Sequence, residues 1–120
     1  MSVRRGRRIV LTAAAAVLLI PLVPQAAQAS GFYGCPPGAI CGWSGEYYSG
    51  AMVQLPQGGG CVTPAFPIRS AANTVKSPGI PSVAAFYASA GCAGQYLGGV
   101  GPSQSRPVIS PPALGVELAW

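Results

Sequence analysis

Glycine or proline recurs within every dozen residues or so after position 30, and this spacing limits the regular structure that the chain can form. An α-helix tolerates neither residue well in its interior, because glycine is too flexible and proline lacks the amide hydrogen that a helix needs. Between these residues lie short apolar runs of the kind that form β-strands. The sequence therefore predicts a small all-β sandwich or barrel, with strands at residues 39–43, 51–55, 72–75, 83–87, 95–97 and 114–119.

The first 29 residues have the layout of a secretory signal peptide. Arginines at positions 4, 5, 7 and 8 precede the apolar run IVLTAAAAVLLIPLV, and AQA at positions 27–29 offers the small residues of a cleavage site. A transmembrane anchor is the competing interpretation, but Pro21 and Pro24 interrupt a run that would need roughly 20 apolar residues. We therefore expect cleavage before Ser30, one mature domain over residues 30–120, and a secreted, extracellular protein without membrane contact after signal cleavage.

The mature domain would carry little charge, and this excludes several classes of function. It would keep three cations against Glu46 and Glu117, a net charge of +1, which is too small for a nucleic-acid-binding face. The chain contains no histidine, which excludes histidine zinc sites and Ser-His-Asp or Cys-His catalytic groups. The two carboxylates could in principle form an acid/base pair, but solvated surface positions are the simpler interpretation. We expect a monomeric non-enzyme without catalytic residues, metal or cofactor.

Four cysteines in an exported chain of this size indicate two disulfide bonds. A structural zinc would need closely paired cysteines, which the spacing lacks, and a catalytic thiol would need a neighbouring base or cation. Cys35 and Cys41 flank the segment CPPGAIC, whose prolines favour a compact turn, and we expect them to bond to each other. Cys61 would then pair with Cys92. Four cysteines allow three connectivities, and the other two stay open on sequence grounds.

A short pattern occurs twice in the mature domain, with the two copies 44 residues apart. Trp43, Tyr48 and Gly50 form an aromatic-x4-aromatic-x-glycine motif. The second copy has the same spacing, with a cysteine in place of the second aromatic residue, at Tyr87, Cys92 and Gly94. A hairpin that folds back on its own sheet needs a glycine where φ is positive, because a Cβ atom there would clash. We interpret the copies as two related units that pack together, the second corner being held by the bond that Cys92 makes.

These residues resemble the Greek-key unit of the βγ-crystallins, whose signature is aromatic-x4-aromatic-x-glycine. Over residues 35–120 the chain is also similar to a secreted bacterial peptidase-inhibitor family with a crystallin-like fold, through CPPGAICGW, EYYSG, SAAN and VAAFYASAGCAG. The resemblance implies a Greek-key sandwich with folded corners at the two motifs, and an extracellular protease of the thermolysin type as the partner. Calcium, which some crystallin units bind, is not expected, because Glu46 and Glu117 are the only acidic residues and Asn73 stands alone.

The predicted inhibitory loop spans residues 57–70. It would be anchored at a cysteine and stiffened by prolines, so that it would lose little entropy on binding. We expect its larger apolar side chains to be exposed, namely Val62, Phe66 and Ile68. The resemblance implies a reactive bond beside a loop cysteine, which here is Cys61–Val62. The predicted contact residues are Cys61, Val62, Thr63, Pro64 and Phe66.

An alternative interpretation makes this segment structural. Phe66 and Ile68 would then pack under the loop as part of the core, whereas an inhibitor should project the loop with Val62 in solvent. In that case the chain would be a secreted crystallin-like binding or structural module of the cell-envelope or antimicrobial kind, without a protease target. Its surface would present aromatic residues able to stack on sugars, at Tyr47, Tyr48 and Tyr96.

Overall fold

The computed structural model describes residues 31–76 and 82–120, so the predicted signal peptide at 1–29 lies outside the described residues. Within these two ranges, no helix is long and apolar enough to cross a membrane. Their regular structure comprises a 3-10 turn at Glu46–Tyr48 and the strands β1 Ile40–Trp43, β2 Met52–Gln54, β3 Gly59–Val62, β4 Ser70–Asn73, β5 Val83–Ser89, β6 Ala93–Val100, β7 Ser105–Arg106 and β8 Gly115–Ala119. The all-β prediction is confirmed.

The strands form two four-stranded antiparallel sheets, with the orders β2-β1-β4-β7 and β3-β8-β5-β6. The first half of the domain (β1 to β4) and the second half (β5 to β8) are arranged alike, because each half gives its third strand to the sheet of the other half. β3 pairs with β8 of the second half, and β7 pairs with β4 of the first half. Neither sheet is therefore complete without a strand from the opposite half.

The main core lies between the two sheets and takes side chains from both. Ile40 of β1, Phe86 of β5 and Val116 of β8 are fully buried in it. A second, smaller cluster includes Cys35 and Cys41 and covers the outer face of the first sheet. Because successive side chains of a strand point to opposite faces, β1 contributes Ile40 to the main core and Cys41 to the smaller cluster.

The sequence-based prediction omits β3 and β7, the two strands that are exchanged between the halves. Gly59 and Gly60 have low strand propensity, so the sequence of β3 is typical of a turn. β7 contains only two residues, in a segment rich in proline and serine. Both segments become strands because a partner strand, β8 or β4, supplies the hydrogen bonds. The six predicted strands are present, although β4 begins two residues earlier than predicted and β6 is longer at both ends.

Both corner motifs form hairpins bent by positive φ angles. The angle is 80° at Gly50 and 77° at Gly94, and it is also positive at Tyr48 and Cys92, at 61° and 55°. A Cβ atom on Gly94 would lie 2.6 Å from the Ser89 hydroxyl oxygen, so a larger residue would push the hairpin open. The repeated spacing therefore encodes the same backbone bend twice.

The two corners are held against their sheets in different ways. In the first half, the buried Ser70 hydroxyl donates to the Gly45 carbonyl oxygen at 2.7 Å and accepts from the Tyr48 amide at 2.9 Å. In the second half, Gly115 occupies the equivalent position at the start of its strand, so no hydroxyl is present there. The Cys61–Cys92 disulfide instead ties the tip of the β5–β6 hairpin to β3. A covalent bond thus takes the place of a serine bridge.

Replacing Ser70 by alanine should lower the free energy of unfolding by about 1–2 kcal/mol, because a part-buried amide and a part-buried carbonyl would lose the buried hydroxyl that bridges them. Urea unfolding of the oxidised protein measures this change. Ser105→Ala is the matched control, since Ser105 is exposed on the neighbouring strand β7, and it should stay within about 0.5 kcal/mol of the parent. Equal effects of the two substitutions would contradict the bridging role of Ser70.

Candidate functional site

The predicted inhibitory loop is an extended segment whose side chains alternate between solvent and core. The odd positions from 61 to 67 are exposed, namely Cys61, Thr63, Ala65 and Pro67. Val62 and Phe66 are partly buried and pack against the main core, Pro64 is half-buried, and Ile68 is fully buried. The expectation of exposed side chains is therefore wrong for Ile68 and holds only in part for Val62 and Phe66, because the segment lies on the sandwich and does not project from it.

Ile68 fixes the end of this segment. Its amide donates to the Ala113 carbonyl oxygen at 3.0 Å, and its carbonyl oxygen accepts from the Ala113 amide at 2.8 Å. Its side chain occupies the space next to Gly42, where a Cβ atom would lie 2.6 Å from Ile68 Cδ1. The sequence does contain the signal for this packing, since apolar residues at 62, 64, 66 and 68 have the period of a strand. The two prolines obscure it, because proline is rare inside strands.

The strand β3 remains available to a partner as an outer edge of the second sheet. Gly58 and Trp120 exchange both backbone hydrogen bonds, at 2.8 and 3.1 Å. Because hydrogen-bonded and non-hydrogen-bonded pairs alternate between antiparallel strands, the backbone groups of Gly59 and Cys61 face away from β8 toward the open edge. Gly59, Gly60 and Cys61 are exposed, so few side-chain atoms stand between this edge and an incoming chain.

The disulfides have the pairing that the sequence indicates, Cys35–Cys41 and Cys61–Cys92, each with a Cα–Cα distance of 5.9 Å. They lie in different environments. Cys35 and Cys41 are completely buried, whereas Cys61 is exposed and Cys92 is half-buried. The second disulfide is therefore a surface link that anchors the edge strand β3 at one point.

A cluster of aromatic rings lies on the outer face of the first sheet; we call it the aromatic cluster and define it as Phe32, Tyr33, Trp43 and Tyr48. Trp43 is buried, and the Tyr48 ring packs edge-on against it at 5.3 Å. Phe32 contacts Tyr48 edge-on at 4.7 Å, and Tyr33 stacks on Tyr48 at 4.9 Å with 29° between the ring planes. The Tyr33 side chain is nevertheless 64% exposed, so its outer ring face is open to solvent.

The backbone at Tyr33 has a conformation that favours glycine or asparagine. Phe32 and Cys35 exchange backbone hydrogen bonds of 2.9 and 2.8 Å across a two-residue turn. Its central residues, Tyr33 and Gly34, both have positive φ angles, 49° and 91°, as in a type I′ turn. A left-handed conformation costs a residue with a side chain about 1–3 kcal/mol. The turn is held in place by the buried Cys35–Cys41 disulfide.

Beside this cluster, a cleft of about 360 Å³ opens over β4 and β7. Its lining includes Phe32 together with Pro37, Thr74, Lys76, Gln104 and Ser105. The Thr74 hydroxyl is already engaged, donating to Pro36 and accepting from the Ala39 amide. The cleft thus combines an aromatic wall with exposed polar side chains, in the size range of about 300–1,000 Å³ that is usual for small-molecule sites.

The other tyrosines that the sequence predicts at the surface differ in how far they are exposed. Tyr47 and Tyr96 are 66% and 58% exposed, whereas Tyr48 is half-buried by its neighbours in the aromatic cluster. Tyr96 lies on the edge strand β6 and packs on the motif residue Tyr87, with ring centroids 5.6 Å apart. Sequence reasoning did not single out Tyr33. The available signal was its place in FYGC, an aromatic-glycine pair directly before a disulfide cysteine.

In the described part of the chain, no three His, Cys, Asp or Glu side chains come together in a way that could hold a metal ion. Glu46 is exposed on the 3-10 turn, and Glu117 is exposed on β8.

Comparison of the chain with models of known protein families, with curated proteins and with solved structures found no match. Two surfaces of the described residues are candidates for binding, the open edge of β3 and the aromatic cluster with its cleft.

Proposed function

We propose that this chain is a secreted, βγ-crystallin-like Greek-key domain that inhibits extracellular proteases of the thermolysin type through the open edge of β3. The crystallin-like part of the proposal is supported by the exchange of third strands between two similar halves and by the repeated positive-φ corners. Secretion is supported by the signal-like N-terminal sequence, and two disulfides are compatible with an extracellular protein.

The observation that carries the inhibitory function is the disulfide-anchored edge strand. Proteases hold peptide substrates in an extended conformation, and an exposed strand can add to another chain by main-chain hydrogen bonds. The Cys61–Cys92 bond and the β8 pairing hold β3 in place before any contact, which reduces the entropy lost on binding. Val62 packs against the core, so we do not expect its side chain to enter the protease. The contact we propose is main-chain pairing along Gly59–Cys61.

The experiment is a titration of thermolysin with the purified, oxidised mature protein, with subtilisin in a parallel series. We expect stoichiometric loss of thermolysin activity at about micromolar concentration or below. Gly59→Lys should weaken inhibition by roughly tenfold or more, because lysine on an edge strand blocks pairing. The site accepts a side chain, since the nearest atom to a Cβ on Gly59 is the Leu118 carbonyl oxygen at 3.6 Å.

The matched control adds the same charge at the opposite edge of the same sheet. Gln95 is exposed on β6, and Gln95→Lys should leave inhibition unchanged. If Gln95→Lys weakens inhibition as much as Gly59→Lys, the contact does not run along β3. If the folded parent protein inhibits neither protease, the inhibitory proposal is wrong.

That last result would favour the second candidate, a secreted crystallin-like binding or structural module without a protease target. One observation favours it already, because the packing of Val62, Phe66 and Ile68 gives residues 61–68 a structural role. A module of this kind would act through its other surfaces.

A further inference from the structure

Tyr33 has a positive φ angle, which a residue with a side chain disfavours, and only part of its ring is covered by neighbouring residues. One face stacks on Tyr48, but 64% of the side chain is exposed. Glycine or asparagine would suit the positive φ better, and the neighbouring Gly34 meets that demand in the second turn position. Strained non-glycine residues concentrate at binding sites, where surrounding structure holds them. The buried Cys35–Cys41 disulfide supplies that support here.

We propose that Tyr33 and the adjacent cleft bind an uncharged β-1,4-linked glycan. In β-1,4-linked glucose and N-acetylglucosamine all ring substituents are equatorial, so both ring faces present C–H groups. Such a face can pack on the open face of Tyr33, while the ring-edge hydroxyls need hydrogen-bonding partners. The cleft that begins at Phe32 provides these in the side chains of Lys76, Gln104 and Ser105.

The chemistry of this surface fits a sugar better than it fits the alternatives. The rings of the aromatic cluster are uncharged. The open ring, that of Tyr33, offers a face for stacking and carries a hydroxyl group at its edge. A membrane surface would call for a cluster of basic residues, whereas Lys76 is the single cation among the described residues that line the cleft. A protein partner would need about 800 Å² of contact, and the open part of the cluster is essentially one tyrosine ring. The inference does not depend on protease inhibition.

The test is isothermal titration calorimetry of the oxidised mature protein with cellohexaose and with hexa-N-acetylchitohexaose, and with an α-1,6-linked dextran oligosaccharide for comparison. We expect saturable binding of at least one β-1,4-linked oligosaccharide, with a Kd on the order of 0.1 mM, and none of the dextran. Tyr33→Asn should weaken that binding by about tenfold or more, because the stacking face is lost.

Tyr33→Asn separates a binding role from a structural one. Asparagine is favoured at this turn position, so the melting temperature should stay the same or rise while affinity falls. Tyr96→Asn tests another exposed tyrosine that the sequence offers for stacking on sugars; because Tyr96 lies on β6 of the other sheet and does not line the cleft, this variant should bind like the parent. The proposal is overturned if no β-1,4-linked oligosaccharide binds, if Tyr33→Asn retains full affinity, or if Tyr96→Asn loses as much. Binding of anionic lipid vesicles lost in Tyr33→Asn, without glycan binding, would also overturn it and assign the surface to membranes.

Discussion

Replacing Cys61 and Cys92 together by serine should lower the free energy of unfolding by about 3–4 kcal/mol. The bond joins residues 31 positions apart, so its loss frees a long loop in the unfolded chain. The bond also ties the second corner to β3, whereas the corner of the first half is held by hydrogen bonds to Ser70. Urea unfolding measures the change, and the melting temperature should fall by roughly 4–8 °C for each kcal/mol lost.

The control for this prediction is the Cys61→Ala/Cys92→Ala pair. Cys61 is exposed and Cys92 is half-buried, so neither serine nor alanine should introduce a large burial penalty. The two double variants should therefore lose similar stability. A loss below about 1 kcal/mol in both would contradict the prediction. In that case the close packing of the β5–β6 hairpin on Gly115 would be enough to hold the second corner. The packing is close because a Cβ atom on Gly115 would lie only 2.7 Å from the Ser89 carbonyl oxygen.

Replacing Ile68 by alanine should lower the free energy of unfolding by about 2–5 kcal/mol. The side chain is fully buried in the main core, and it occupies the space left open by Gly42, which has no side chain. The backbone bridge to Ala113 keeps the residue in place, so the cavity cannot close by a simple shift of the segment. The same urea unfolding experiment measures this loss.

Thr63→Ala is the control, because Thr63 belongs to the same segment but points to solvent. It should change stability by no more than about 0.5 kcal/mol. If Ile68→Ala is as mild as Thr63→Ala, residues 61–68 do not pack on the sandwich in solution. A projecting loop with Val62 in solvent would then again be the better basis for protease inhibition.

Much of this fold follows from local sequence, and the exceptions have a common physical cause. Five of the six strands found from the sequence were predictable because each contains β-branched or aromatic residues and is bounded by turn residues, whereas β4, Ser70–Asn73, contains none. β3 and β7 were not, because Gly59–Val62 and Ser105–Arg106 become strands only through a partner far away in sequence. The corners at Gly50 and Gly94 were predictable, since a positive φ leaves a direct trace in the choice of glycine.

The candidate sites were harder to predict, because exposure depends on packing across the whole domain. Cys61 was expected in a projecting loop, and it is exposed, but Val62 beside it points inward. The alternation of apolar residues from 62 to 68 indicated this packing, and the prolines argued against it. Tyr33 left only a weak local signal, its place in FYGC, because its stacking partner Tyr48 lies 15 residues later in the chain.

β8 is the last of the eight strands in the sequence, yet it is an inner strand of its sheet, with β3 on one side and β5 on the other. During synthesis on the ribosome, β3 is therefore made long before the strand that it must pair with. Contacts between residues so far apart in sequence slow folding, because a long loop must close before they form. The second sheet is therefore completed only after nearly the whole domain has been made.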